Sequence, residues 1–177
     1  MSDFQGLKDY LIDQKDYPLK EEVIGICKIK LNVNKQPKSS LNLSFGSGRM
    51  NQLGKLKSRS WFEVELSASA AEIKSEFYPQ SEYISLNRKT KKGSFTAYVE
   101  EGGNYYCLEM KVHADNGKNI SSTSGGRTTL GHIIKGKLVR NKILPFGDLI
   151  TSKILDKYGN DVIELHKLRG NKYIIKF

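Results

Sequence analysis

Two polar stretches carry side chains suited to reading a nucleic acid. In residues 41–59, Asn42, Ser44, Ser47, Arg49, Asn51, Gln52, Lys55, Lys57 and Arg59 bring together guanidinium forks, amides, hydroxyls and ammonium groups. Arginine can take guanine O6 and N7 together, and asparagine or glutamine can take adenine N6 and N7. Residues 115–127 offer Asp115, Asn116, Lys118, Asn119, Ser121, Ser122, Thr123 and Arg127. Asp115 has two readings of equal weight. A carboxylate on a basic surface opposes phosphate but can accept from a cytosine N4 amine. It can equally cap a turn and order Gly117. Gly46, Gly48, Gly54, Gly117, Gly125 and Gly126 either let the backbone approach phosphates or serve ordinary turns.

Competing chemistries are poorly supplied. His113, His132, His166, Cys27 and Cys107 sit in separate segments without the spacing of a metal site, so no metal and no cofactor is expected. Gly46-Ser47-Gly48 is no nucleophile elbow, and there is no phosphate-cradling glycine loop ending in Gly-Lys-Ser/Thr. One nuclease-like fragment remains, Glu109 and Lys111 as an E-x-K pair on a predicted strand. Mg²⁺-dependent nucleases use this pattern with a further acid upstream, and here Glu100 and Glu101 fall at a hairpin tip. Alternation gives the plainer account: Leu108, Met110 and Val112 face a core while Glu109 and Lys111 face solvent.

The 177 residues suit one domain, and a hydrophobic content of 38% suffices for a core. The net charge of +10 calls for an acidic partner. It is unevenly placed. Residues 1–22 are net −3, leaving +13 on the remainder. Residues 38–59 hold five basic residues and no acid, residues 88–92 hold four, and residues 111–142 hold seven against Asp115. Acid-poor blocks between ordinary strands point to loops converging on one polyanion, with Arg88, Lys89, Lys135, Lys137 and Arg140 assigned to phosphates. Both polar stretches are almost free of aromatics, Phe45 excepted. That favours groove contacts on double-stranded DNA over stacking on single strands, although an RNA-binding barrel stays open. No apolar run is long enough to span a bilayer. Two cysteines in apolar alternating segments suit a reducing cytoplasm.

The elements that must position these residues are mostly strands. Residues 4–19, with Phe4, Leu7, Leu11 and Ile12, read as an acidic amphipathic helix or lead-in, making residues 1–22 a linker or docking segment. Strand alternation marks residues 23–33 and 61–67, and a helix is expected over residues 68–78, ended by Pro79. Residues 95–99 and 105–112 form a hairpin about Gly102-Gly103, followed by a polar loop over residues 113–127. A basic helix is expected over residues 128–141, with Leu130, Ile133, Ile134 and Leu138 inside and Lys135, Lys137 and Arg140 outside. A short helix over residues 151–158 stops at Gly159, and residues 162–168 and 173–177 make a last hairpin. Six or seven sequential strands with two or three short helices close most easily as an antiparallel barrel or pseudobarrel.

Residues 95–122 (FTAYVEEGGNYYCLEMKVHADNGKNISS), 129–144 (TLGHIIKGKLVRNKIL) and 150–177 (ITSKILDKYGNDVIELHKLRGNKYIIKF) resemble the DNA-binding part of phospholipase-D-type restriction endonucleases. The most specific pieces are Asp115, Gly117, Lys118 and Asn119; Lys135 to Leu138; and Tyr158 to Asp161 with Phe177. Ser40, Leu41 and Asn42 look like the start of that family's first recognition arm. The resemblance covers residues 24–177. It implies a seven-stranded antiparallel pseudobarrel of the kind found in plant B-three transcription factors, mainly β with two or three short helices. It further implies two arms in the major groove, here residues 41–59 and 115–127. The family's catalytic His-x-Lys is missing, since no histidine has lysine two positions on. The chain is therefore expected to be a non-catalytic, monomeric recognition domain, residues 23–177. It would target a type II restriction endonuclease in the bacterial cytoplasm, with a phospholipase-D-like nuclease domain in the parent chain.

Overall fold

The computed structural model describes residues 21–31, 61–84, 89–123 and 128–177. The helix expected over residues 4–19 lies outside them. Strand β1 is Gly25–Lys30 and β2 is Leu66–Ser67, followed by helix α1, Ala70–Ile73. Strands β3 (Glu82–Tyr83), β4 (Lys91–Glu101), β5 (Asn104–His113) and β6 (Asn119–Ser122) come next. Helices α2 (Thr129–Arg140) and α3 (Ser152–Tyr158) precede β7 (Val162–Lys167) and β8 (Lys172–Lys176).

The strands form one sheet in the order β1-β7-β8-β4-β5-β6-β2, with β3 paired to β4. The chain is mainly β, a nearly closed barrel with a few short helices, as expected. Its edges meet at α1. Ser69 and Glu72 form a reciprocal capping box, and the Glu72 Oε1 also accepts from the Lys30 amide at 2.8 Å. One carboxylate thus caps the helix that follows β2 and satisfies an edge amide of β1.

Local signals explain the long hairpin. Gly102 and Gly103, at φ 59° and 79°, make the two-residue turn that matches strand twist. Beside it, Ala97, Val99, Leu108 and Met110 alternate into the core. Gly159, at φ 83°, ends α3 where a left-handed residue was expected.

Five expectations are corrected. Helix α1 is one turn rather than residues 68–78, because Phe77 and Tyr78 turn inward to pack on the core. The strand over residues 61–67 reduces to Leu66–Ser67. The pairing is not wholly antiparallel: β8 runs parallel to β4. Over residues 23–33 the alternation expected to turn Ile24 and Ile26 inward with Ile29 and Leu31 is shifted: the inward residues are Cys27, Ile29 and Leu31, and Ile24 and Ile26 face outward. Residues 113–127 are not one loop, since β6 pairs with β5 through Met110–Ser122 and Val112–Ile120.

Candidate nucleic-acid interface

Helix α2 positions the ends of both predicted arms. The chain leaves β1 after Leu31 and returns at Trp61. There the Trp61 carbonyl accepts from the Lys135 Nζ, whose ammonium lies 4.9 Å from the centre of the indole. The Trp61 Nε1 donates to the Asp148 carbonyl at 2.8 Å. The next residue, Phe62, stacks on His132 with centroids 3.8 Å apart and planes 14° apart. Gly131 makes this approach possible: a Cβ there would sit 1.6 Å from the Phe62 carbonyl oxygen. His132 in turn donates from Nδ1 to the Thr128 carbonyl at 2.9 Å. Thr128 is the residue at which the second predicted arm re-enters the fold. Its other end, Thr123, binds the Glu109 carbonyl through both its amide (2.8 Å) and its hydroxyl (3.0 Å). Phe62 and Thr128, where the two connections predicted as arms return to the fold, are therefore joined through one helical turn.

A second cluster sits where β5 turns into β6. Ala114, Asn116 and Gly117 all have positive φ, 67°, 54° and 72°, the last suited to glycine. The Gly117 amide donates to Ala114 and the Lys118 amide to the Asp115 carbonyl. Backbone bonds therefore hold this turn. The Asp115 carboxylate instead projects outward, 3.8 Å from the Lys118 Nζ. A bridge between Thr90 and Asp115 and a hydrogen bond from the Asn116 amide to the Lys89 carbonyl at 2.7 Å bring Lys89 alongside. Tyr78 donates its hydroxyl to the Gly117 carbonyl at 2.6 Å, and burial pushes its pKa well up. Asp115, Asn116, Lys118 and Lys89 are thus brought together. Strand β6 separates them from Thr123 by about 13 Å of rise.

Other predicted site residues are placed differently. Ser121 and Ser122 are buried in β6: the Ser121 hydroxyl meets His113 Nε2 at 3.1 Å, and the Ser122 hydroxyl accepts from the Leu130 amide. The Asn119 Oδ1 accepts from Ser67 at 2.6 Å. Lys135, expected outside, is 0% exposed. Its side of α2 is covered because residues 61–62 pack there while the opposite face fills the barrel, so Lys135 is removed from the phosphate contacts. Lys137 donates to the Phe177 carbonyl and lies over the Tyr158 and Phe177 rings. Arg140 pairs with Glu101 at the far end of α2, with about half of its side chain exposed. Asn42, Ser44, Ser47, Arg49, Asn51, Gln52, Lys55, Lys57, Arg59, Arg88 and Arg127 lie outside the described residues.

Sequence reasoning did not single out Phe146. It is 71% exposed on the turn containing Gly147 (φ 92°), and its ring lies 4.7 Å from Trp61 and 6.0 Å from Phe62. Its flanking Pro145 and Gly147 mark a turn, where an aromatic has no buried face to occupy. Glu109 and Lys111 lie on the outer face of β5, where a Glu109 carboxylate oxygen accepts from the Thr96 hydroxyl at 3.0 Å. Among the described residues, no group of three or more His, Cys, Asp or Glu stands close enough to hold a metal ion. None of the described helices is long and apolar enough to cross a membrane.

The model of one protein family, the NgoFVII C-terminal B3-like DNA-binding domain, matches residues 19–169. No curated protein matches the chain. With the nearly closed β barrel, this match identifies the chain as a member of the NgoFVII C-terminal B3-like DNA-binding domain family.

Proposed function

We propose that the chain recognises a specific duplex sequence through two major-groove arms, residues 41–59 and, within 115–127, the turn that precedes β6 and the connection that follows it, as the target-recognition domain of a type II restriction endonuclease. The single observation that carries this reading is the shared root of the arms, Phe62 stacked on His132 beside Thr128. One reader returning on α2 and the other held at the β5–β6 turn of the same barrel keep a fixed separation, which base-specific contacts at two places in one site require. Arg49, Asn51, Gln52, Asp115 and Asn116 meet base edges, while Lys89, Lys118 and Arg88 hold phosphates. The domain acts as a monomer in the cytoplasm. Strand scission belongs to a phospholipase-D-like nuclease domain of the parent chain.

Selection of bound duplexes from a random pool tests the reading. A single enriched site, bound tightly and with a steep dependence on salt, supports it. Recovery of unenriched sequence, or preference for RNA over duplex DNA, overturns it.

A further inference from the structure

The outer face of the barrel carries an apolar row that crosses five strands. Register places Ile26 beside His166, His166 beside Ile174, Ile174 beside Tyr98, and Tyr98 beside Cys107. Their strand neighbours Cys27, Leu165, Tyr173, Ala97 and Leu108 point into the core, so this row points away from it. Yet Tyr98 and Ile174 are only 5% and 6% exposed, and with Leu168, Tyr105 and Cys107 they form an apolar cluster separate from the core. Side chains on the outside of a barrel reach such values under a covering layer. At the β1 end the cover stops: Val23, Ile24 and Ile26 are 39%, 46% and 43% exposed.

The chain itself arrives at this face. Glu21 pairs with Lys172, which precedes Ile174 by one outward position on β8, and Glu22 lies 4.0 Å from Arg169. Residues 1–20 continue from that point and carry Phe4, Leu7, Leu11 and Ile12 at helical spacing. Fourteen residues of helix, 4–17, would be about 21 Å long, against about 19 Å for four inter-strand steps of the row. We propose that the acidic N-terminal segment lies across the outer face of the barrel, with Phe4, Leu7 and Leu11 seated on Ile174, Tyr98 and Tyr105. It is a fixed layer of this domain rather than a free linker. The inference is independent of what the arms bind.

Cys107, at the end of the row, is a built-in probe, and buried Cys27 is its internal control. In the full chain carrying Leu7→Asp and Leu11→Asp, Cys107 should react with a thiol-specific disulfide reagent at least about tenfold faster than in the unsubstituted chain, as local uncovering predicts. Cys27 should stay unreactive. Equal rates at Cys107 overturn the proposal. So does protection of Cys107 that grows with protein concentration, which assigns the cover to a second copy. Amide exchange of the unsubstituted chain gives a variant-free check. Protected amides over residues 4–17 support the layer, and exchange at unfolded-chain rates overturns it.

Discussion

The ring of Phe62 lies flat on the imidazole of His132, 3.8 Å from centroid to centroid, and so ties the chain at residues 61–62 to the first turn of α2. Replacing Phe62 by alanine removes a partly buried ring and the stacking contact. A loss of about 2 kcal/mol in urea denaturation is expected, below the full cost of a buried phenylalanine. The selected duplex should lose more affinity than a random one. Phe146→Ala, on an exposed ring, should stay within about 0.5 kcal/mol of the parent.

Lys135 and Lys89 are separated by their response to salt. A buried ammonium that serves the Trp61 carbonyl contributes to folding, so Lys135→Met should cost about 1–3 kcal/mol of stability by leaving that carbonyl unpaired. The slope of log affinity against log salt should not change. Lys89→Ala should do the reverse, with stability held and the slope reduced by about 0.9.

Asp115 projects its carboxylate from a turn that backbone hydrogen bonds already hold. Asp115→Ala should therefore leave the thermal midpoint nearly unchanged and reduce discrimination by about 1–3 kcal/mol at one base pair of the selected site. Arg49→Ala should do the same at another position. Equal losses on selected and random duplexes would assign both side chains to the phosphate backbone.

Tyr78 links alkaline stability to the Asp115 turn. Burial raises its pKa from 10.0, so the folded state keeps a proton that the unfolded chain releases. Its contribution is whole below pH 10 and is lost as pH rises, at up to ~1.4 kcal/mol per pH unit. Tyr78→Phe should be less stable at pH 7 by about 1 kcal/mol, because the Gly117 carbonyl loses its donor. It should also show a shallower decline between pH 10 and 12. Tyr173, pushed up to about 12 by burial, retains part of the slope. Thermal melts across that range provide the check.

The Glu109 carboxylate has a hydroxyl partner in Thr96, and its neighbours do not assemble a metal site among the described residues. Supercoiled plasmid incubated with the chain and Mg²⁺ should stay intact. Nicking that Glu109→Ala abolishes would reinstate the E-x-K nuclease.

What was legible in the residues was local. Gly102-Gly103 announces the hairpin and Gly159 the end of α3, because each signal lies within a few residues of the structure it specifies. What was not legible was long-range. Nothing near Lys135 reports that Trp61 will cover it, and alternation in β1 does not say which face of Ile26 meets the core. Ser121 and Ser122 look like arm residues until the register with Met110 and Lys111 draws them into the sheet. The approach of residues 61–62 to α2 rests on Gly131, whose missing side chain matters only once Phe62 arrives.

The place of β8 between β7 and β4 has a consequence for how the molecule is made. Strand β1 pairs with β7, joining Gly25 to Lys167, and this two-strand ribbon reaches the β4–β5 hairpin only through β8. On a ribosome, the hairpin can form early, while Cys27, Ile29 and Leu31 wait, apolar and without a sheet, until residues up to Lys176 have emerged. Such remote pairings close slowly. Strand β8 is the one that joins the ribbon to the hairpin, and a chain in which it has not yet emerged holds an open, adhesive edge.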